Sequence, residues 1–80
     1  MNDILWTKPI LEEFKALALL TDFEYKVLQT KIAGWSRTKQ SIEFNCSLST
    51  IDRTIKELRN KYDSVCKYSS ILPKRIKRKN

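Results

Sequence analysis

The sequence contains no histidine, one glycine, two prolines and two cysteines, and each shortage counts against a class of protein. Folds with many tight turns use glycine and proline freely, so a β-sandwich or barrel is disfavoured and helices are favoured. Cys46 and Cys66 lie twenty residues apart and are not part of a CxxC motif. Without histidine they cannot complete the usual zinc site, so we expect reduced thiols, no metal and no cofactor.

Two further absences concern the compartment and the chemistry. The chain has neither a signal-peptide pattern nor an apolar run near the roughly eighteen residues of a membrane span, so we expect a cytoplasmic protein that does not enter a membrane. No serine has an evident base partner, and most carboxylates lie at helix starts or on charged faces, so an enzyme is the least favoured class. No small-molecule ligand is evident.

Positive charge is concentrated in one half of the chain. The formal net charge is +7. Residues 1–45 contain six basic and six acidic side chains, whereas residues 46–80 contain ten basic and three acidic ones. Such an asymmetry is typical of a surface that faces phosphates, since Lys and Arg displace the counterions condensed on nucleic acid. A cationic C-terminus that only keeps the protein soluble is the alternative.

Apolar spacing and capping signals predict four helices in one domain. The first helix is expected over about Pro9 to Leu19, because proline suits a first turn. Thr21 and Glu24 form a capping-box pattern at the start of the second helix. That helix should end at Gly34, where a positive φ is most often needed.

The last two helices form a closely spaced pair. Ser36 is the expected N-cap of a third helix that runs to about Phe44, and Asn45 tolerates the left-handed conformation that closes a helix. Ser47 is the expected N-cap of a fourth helix over about residues 48–65. The predicted fold is therefore an all-α, four-helix domain with a helix-turn-helix.

The predicted fourth helix is apolar on one side and charged on the other. A stripe with helical spacing is expected to face the core; it comprises Leu48, Ile51, Ile55, Leu58, Tyr62 and Val65. The opposite face should then show Ser49, Thr50, Asp52, Arg53, Lys56, Glu57, Arg59 and Asn60. In a helix-turn-helix, the second helix enters the major groove of DNA. An ordinary solvated helix face is the alternative interpretation.

Individual roles follow from side-chain chemistry. The planar fork of Arg53 matches the O6/N7 pair of guanine, and Asp52 is able to accept from cytosine N4. The predicted base-reading residues are Ser49, Thr50, Arg53 and Lys56. The predicted phosphate contacts are Arg37, Thr38, Lys39, Gln40, Arg59, Lys74 and Arg75.

The two ends of the chain receive separate interpretations. Residues 1–67 are expected to form the domain, and residues 68–80 a flexible basic tail that either tracks phosphates or only aids solubility. One short recognition helix reads few base pairs, so specificity normally requires two copies. We therefore expect a homodimer through the N-terminal helix and its Trp6 lead-in.

The span from Leu20 to Tyr62 resembles the DNA-binding domain of LuxR/GerE-type regulators. The matching positions are Leu20-Thr21, Glu24, Val27-Leu28, Gly34-x-Ser36, Ser41, Phe44, Ser47-x-x-Thr50-Ile51 and Lys61-Tyr62. The chain departs from this pattern at Thr30, Lys31 and Gln40, where the regulators usually place apolar groups. The family's final helix is absent, and the helix over Pro9 to Leu19 is expected to replace it.

The same stretch is also similar to the helix-turn-helix of sigma factor region four, and both resemblances imply binding to duplex DNA through the fourth helix. A stand-alone domain of this kind looks like the small regulators of phages and mobile elements. The chain has no receiver or ligand-binding domain, so control by phosphorylation or a ligand is not expected. The rival from another class is a protein-interaction adaptor that binds RNA polymerase or another regulator. RNA binding is less favoured, because no aromatic pair lies among the basic residues to stack unpaired bases.

Overall fold

The computed structural model describes residues 4–75. These residues form four helices and no strands. This confirms the predicted all-α, four-helix class. A single 3₁₀ turn, Cys66–Tyr68, follows the last helix. The helices are α1 (Lys8–Ala18), α2 (Asp22–Ile32), α3 (Arg37–Glu43) and α4 (Leu48–Val65).

Each helix begins where a hydroxyl side chain caps the first turn. Backbone N–H groups three residues later donate to these hydroxyl oxygens over 3.0–3.5 Å; the caps are Thr7, Thr21, Ser36 and Ser47. At α2 the cap is reciprocal, because the backbone N–H of Thr21 also donates to Glu24 Oε1 at 3.0 Å. The predicted capping box is therefore confirmed.

The helix ends depend on residues with positive φ. Gly34 (φ 92°) and Asn45 (φ 53°) adopt it after α2 and α3, as the sequence predicts. Leu19 also adopts it (φ 52°), which ends α1 at Ala18 rather than at the expected Leu19. A left-handed leucine is uncommon, because its Cβ crowds the following carbonyl group. No sequence rule would have placed a helix end there.

The long helix α4 is the centre of the domain and contacts α1, α2 and α3. Ile51, Ile55, Leu58 and Tyr62 are buried, so most of the predicted stripe faces the core. Val65 is only partly buried, and Leu48 is 44% exposed, because these two residues lie at the ends of the stripe.

An aromatic cluster joins the N-terminal lead-in to α1 and α4. The ring of Trp6 lies 5.9 Å from Phe14 and 5.7 Å from Tyr62, centroid to centroid, and Phe14 lies 5.2 Å from Tyr62. Tilted and edge-on rings at these distances attract one another beyond their burial alone. Trp6 therefore packs on its own domain.

Residues 69–75, which the sequence predicts to belong to a flexible tail from residue 68, contact the domain through some of their residues. Leu72 is buried, and the Tyr62 hydroxyl donates to the Pro73 carbonyl. Ser69 Oγ donates to Glu13 on α1 at 2.7 Å. Apolar burial and these hydrogen bonds hold the segment against the domain despite its positive charge. The charge of a segment carries no information about whether it packs. Residues 76–80, the rest of the predicted tail, lie outside the described residues.

Candidate nucleic-acid interface

A tight turn joins α3 to α4. The left-handed Asn45 reverses the chain, and its N–H donates to the Ile42 carbonyl at 3.2 Å. The Cys46 N–H then donates to the Ser41 carbonyl at 3.0 Å, and Ser47 caps α4. These bonds satisfy carbonyl groups that the end of α3 would otherwise leave without partners.

The side of α3 that faces α2 is held by a buried glutamine. Gln40 is only 1% exposed, and its Nε2 donates to the Val27 carbonyl at 3.0 Å and to Thr30 Oγ1 at 2.9 Å. The prediction that Gln40 contacts phosphate is therefore wrong, because this side chain lies on the inner face of a seven-residue helix. The sequence contained a signal for this inward position. Gln40 and Thr30 both occupy positions where the LuxR/GerE pattern is apolar, and in this protein they hydrogen-bond to each other.

Aromatic rings support the start and the end of α3. Phe44 lies 5.9 Å from Phe23 in an edge-on contact and 6.3 Å from Trp35 in a stacked one. The Lys39 ammonium lies 4.2 Å from the centroid of the Trp35 ring. The indole attracts this cation and restrains it near the beginning of α3 while Lys39 stays exposed.

The outer face of α4 carries the predicted base-reading residues. Ser49, Arg53 and Lys56 are exposed, and none of them hydrogen-bonds or pairs through its side chain with another residue in the range 4–75. At about 100° per residue, Ser49, Arg53 and Lys56 fall within about 60° of one another on this face. Arg59, a predicted phosphate contact, is likewise exposed and unpaired within that range.

Thr50 is placed differently from its neighbours. It is half-buried, and its Oγ1 lies 3.0 Å from the Oγ of Ser47, so its hydroxyl already has a partner inside the capping turn.

Thr38, predicted to hold phosphate, is exposed in the first turn of α3. The first turn of α3, which contains Thr38 and Lys39, lies beside α4, because Arg37 of that turn donates to Asp52 of α4.

An ion pair crosses from α3 to α4 at this surface. Arg37 Nη1 donates to both carboxylate oxygens of Asp52, at 2.7 and 2.6 Å. The hydrogen bond to Asp52 and the charge of that carboxylate raise the pKa of Arg37 above its ordinary value, so this guanidinium stays protonated. Sequence reasoning missed the pair, because a contact between residues fifteen apart has no local signature.

The predicted tail contacts lie elsewhere. Arg75 donates to Asp63 through Nε at 3.0 Å and Nη2 at 2.7 Å, near the C-terminal end of α4, and Lys74 is exposed beside it. Ten helical residues separate Asp63 from Arg53, which is about 15 Å along the helix axis. The structure therefore does not bring Lys74 and Arg75 to the surface that contains Arg53.

Within residues 4–75, no cluster of three or more His, Cys, Asp or Glu side chains is placed to hold a metal ion. Over the same residues, none of the helices combines the length and the apolar character that crossing a membrane requires.

No protein-family model matches the chain, and no curated protein or solved structure matches it at a significant level. The likeness to LuxR/GerE-type domains therefore stays a prediction from the residues quoted for it.

Proposed function

We propose that this protein binds double-stranded DNA in a sequence-specific manner, as a small transcriptional regulator that inserts α4 into the major groove. The observation that carries the proposal is the orientation of α4. Its apolar stripe is buried from Ile51 to Tyr62, which leaves Arg53, Lys56 and Arg59 exposed. An α-helix with its side chains is about 10–12 Å wide, and the major groove is about 12 Å wide.

Each exposed residue has a proposed role. Arg53 donates to guanine O6 and N7, and Ser49 and Lys56 contact base edges or the adjoining phosphates. Thr38 and Lys39 hold phosphate from the first turn of α3, and Arg59 does so from the side of α4. Thr50, whose hydroxyl bonds to Ser47, contributes mainly by holding the first turn of α4 in place.

Selection of bound duplexes from a random library tests this function. A sequence-specific protein should enrich a short motif, and a two-fold symmetric motif would support the proposed homodimer. Retention of the selected duplex should fall steeply with salt, with a log–log slope of about 0.9 per phosphate contacted. If no duplex were retained even at low salt, the proposal would fail and a protein-interaction adaptor would become the better interpretation.

Three alanine variants separate base reading from phosphate binding. Arg53→Ala should abolish discrimination at one base position, at a cost of about 1–3 kcal/mol for the preferred duplex. Arg59→Ala should weaken binding to all duplexes alike and reduce the salt slope by about 1. Lys67→Ala is the matched control, because this exposed cation lies beyond the C-terminal end of α4 and should change neither quantity.

The proposed homodimer uses the exposed side of α1. Trp6 packs against Phe14 and Tyr62 of its own domain, so it is not the natural anchor. Leu17 and Leu19 are the exposed leucines at the C-terminal end of α1. Sedimentation equilibrium of the wild-type protein and of a Leu17→Ser, Leu19→Ser double variant measures this association, and unchanged association in the variant would exclude the α1 surface.

A further inference from the structure

The bidentate pair between Arg37 and Asp52 lies on the surface that is proposed to meet DNA. The two side chains are 59% and 48% exposed, so neither is hidden by the fold. Arg37 is the first residue of α3, and Asp52 lies in the second turn of α4. The pair therefore spans the two helices of the helix-turn-helix on its outer side.

Asp52 competes with phosphate for Arg37. Arg37 Nη1 makes both contacts to Asp52, and the carboxylate offsets the charge of the guanidinium. A carboxylate and a phosphate are both anions that an arginine binds through charge-assisted hydrogen bonds. A phosphate that approaches Arg37 therefore meets a guanidinium whose charge is already paired, with a carboxylate of like charge beside it.

We propose that Asp52 is a positioning residue that lowers the affinity of this surface for the DNA backbone by occupying Arg37. This inference rests on the proposed function and adds an internal control of phosphate binding to it. Exposed ion pairs are weak and screened by salt, so the loss of affinity that Asp52 causes is modest. Binding that depends on phosphate alone is thereby weakened, while the base contacts of Arg53 are left unchanged.

The test compares Asp52→Asn with Glu57→Gln on one mixed-sequence duplex. Glu57 is also an exposed acid on α4, and it has no ion pair with any residue in the range 4–75. Both variants remove one negative charge, but only the first releases an arginine. Asp52→Asn should bind about threefold to tenfold more tightly and steepen the salt slope by about 1, the value for one additional phosphate. Glu57→Gln should increase affinity less and leave the slope nearly unchanged.

The same change in an Arg37→Gln background completes the test. If Asp52 acts through Arg37, adding Asp52→Asn to Arg37→Gln should produce only the small effect of Glu57→Gln. Asp52→Ala provides a second variant that cannot hydrogen-bond Arg37 at all, and circular dichroism checks that each variant is folded. Equal effects of Asp52→Asn and Glu57→Gln on affinity and slope would overturn this inference alone, whereas a wild-type protein that binds no duplex would overturn the proposed function itself.

Discussion

Gln40 shows how one polar side chain connects the helices beneath the proposed DNA-binding surface. Its amide donates both to a carbonyl group of α2 and to Thr30, which itself donates to the Lys26 and Val27 carbonyls. A buried amide that lacked these partners would be costly, because it would have given up water without compensation. The position of α3 against α2 is thus set by directional bonds as well as by apolar contact.

Gln40→Ala should therefore destabilise the fold without affecting DNA contacts. Loss of the hydrogen bonds and the cavity left behind should lower the free energy of unfolding by about 2–3 kcal/mol, measured by urea denaturation. Gln29→Ala on the exposed side of α2 is the control and should change it by less than about 0.5 kcal/mol. Reduced DNA affinity with unchanged stability would instead restore the phosphate role that the sequence predicted for Gln40.

At the scale of helices, α2 and α4 are joined by an ion pair that also belongs to a helix cap. Lys61 Nζ donates to the two carboxylate oxygens of Glu24 at 2.9 and 2.7 Å. The Glu24 side chain is 8% exposed and that of Lys61 38%. Burial alone would raise the pKa of Glu24, but the hydrogen bond from Lys61, the Thr21 N–H and the charge of Lys61 together lower it below 4.5.

The lowered pKa of Glu24 predicts an acid-sensitive contribution to stability. A carboxylate whose pKa is lower in the folded state stabilises the fold above the unfolded pKa, and this contribution is lost as the pH falls through the folded value. Glu24→Gln keeps a residue suited to the capping box and removes the charge. It should cost about 1–2 kcal/mol at neutral pH, and the difference from wild type should shrink as the pH falls well below 4.5.

Urea denaturation across the acid range measures this difference. Glu57→Gln is the control, since this acid is exposed and forms no ion pair within residues 4–75, and it should cost less than about 0.5 kcal/mol. A Glu24→Gln penalty that stayed constant with pH would mean that the charge of Glu24 does not contribute, and that the cap alone holds the start of α2.

Most helix boundaries could be predicted from the sequence because their signals are local. A hydroxyl residue at an N-cap, a glycine after a helix and apolar residues spaced three and four apart are all visible in a few consecutive residues. The end of α1 before the left-handed Leu19 is an exception. The other failures involve contacts between distant residues. Gln40 faces inward because of Thr30, and Arg37 is engaged by Asp52. The composition of the outer face of α4 was predictable, whereas the pairing state of Arg37 was not.

At the scale of the whole molecule, the charge asymmetry and the packing are separate properties. Residues 46–80 contain the basic excess, yet the segment 69–75 packs against the domain. That segment has no helical period, so the sequence pattern does not distinguish it from a tail. Arg75 is held by Asp63 near the C-terminal end of α4, about 15 Å along the helix axis from Arg53.

Leu72→Ala tests whether this C-terminal segment belongs to the cooperative fold. Leu72 is 5% exposed, whereas the adjacent Ile71 is 47% exposed. Leu72→Ala should lower the free energy of unfolding by about 2–4 kcal/mol and Ile71→Ala by less than about 1 kcal/mol, because only the first leaves a cavity in the core. DNA affinity of the folded protein should stay unchanged in both variants, since the segment lies at the end of α4 remote from the proposed DNA-binding surface. Equal, small effects on stability would mean that residues 69–75 lie on the domain without stabilising it, and the flexible tail would then begin where the sequence predicted.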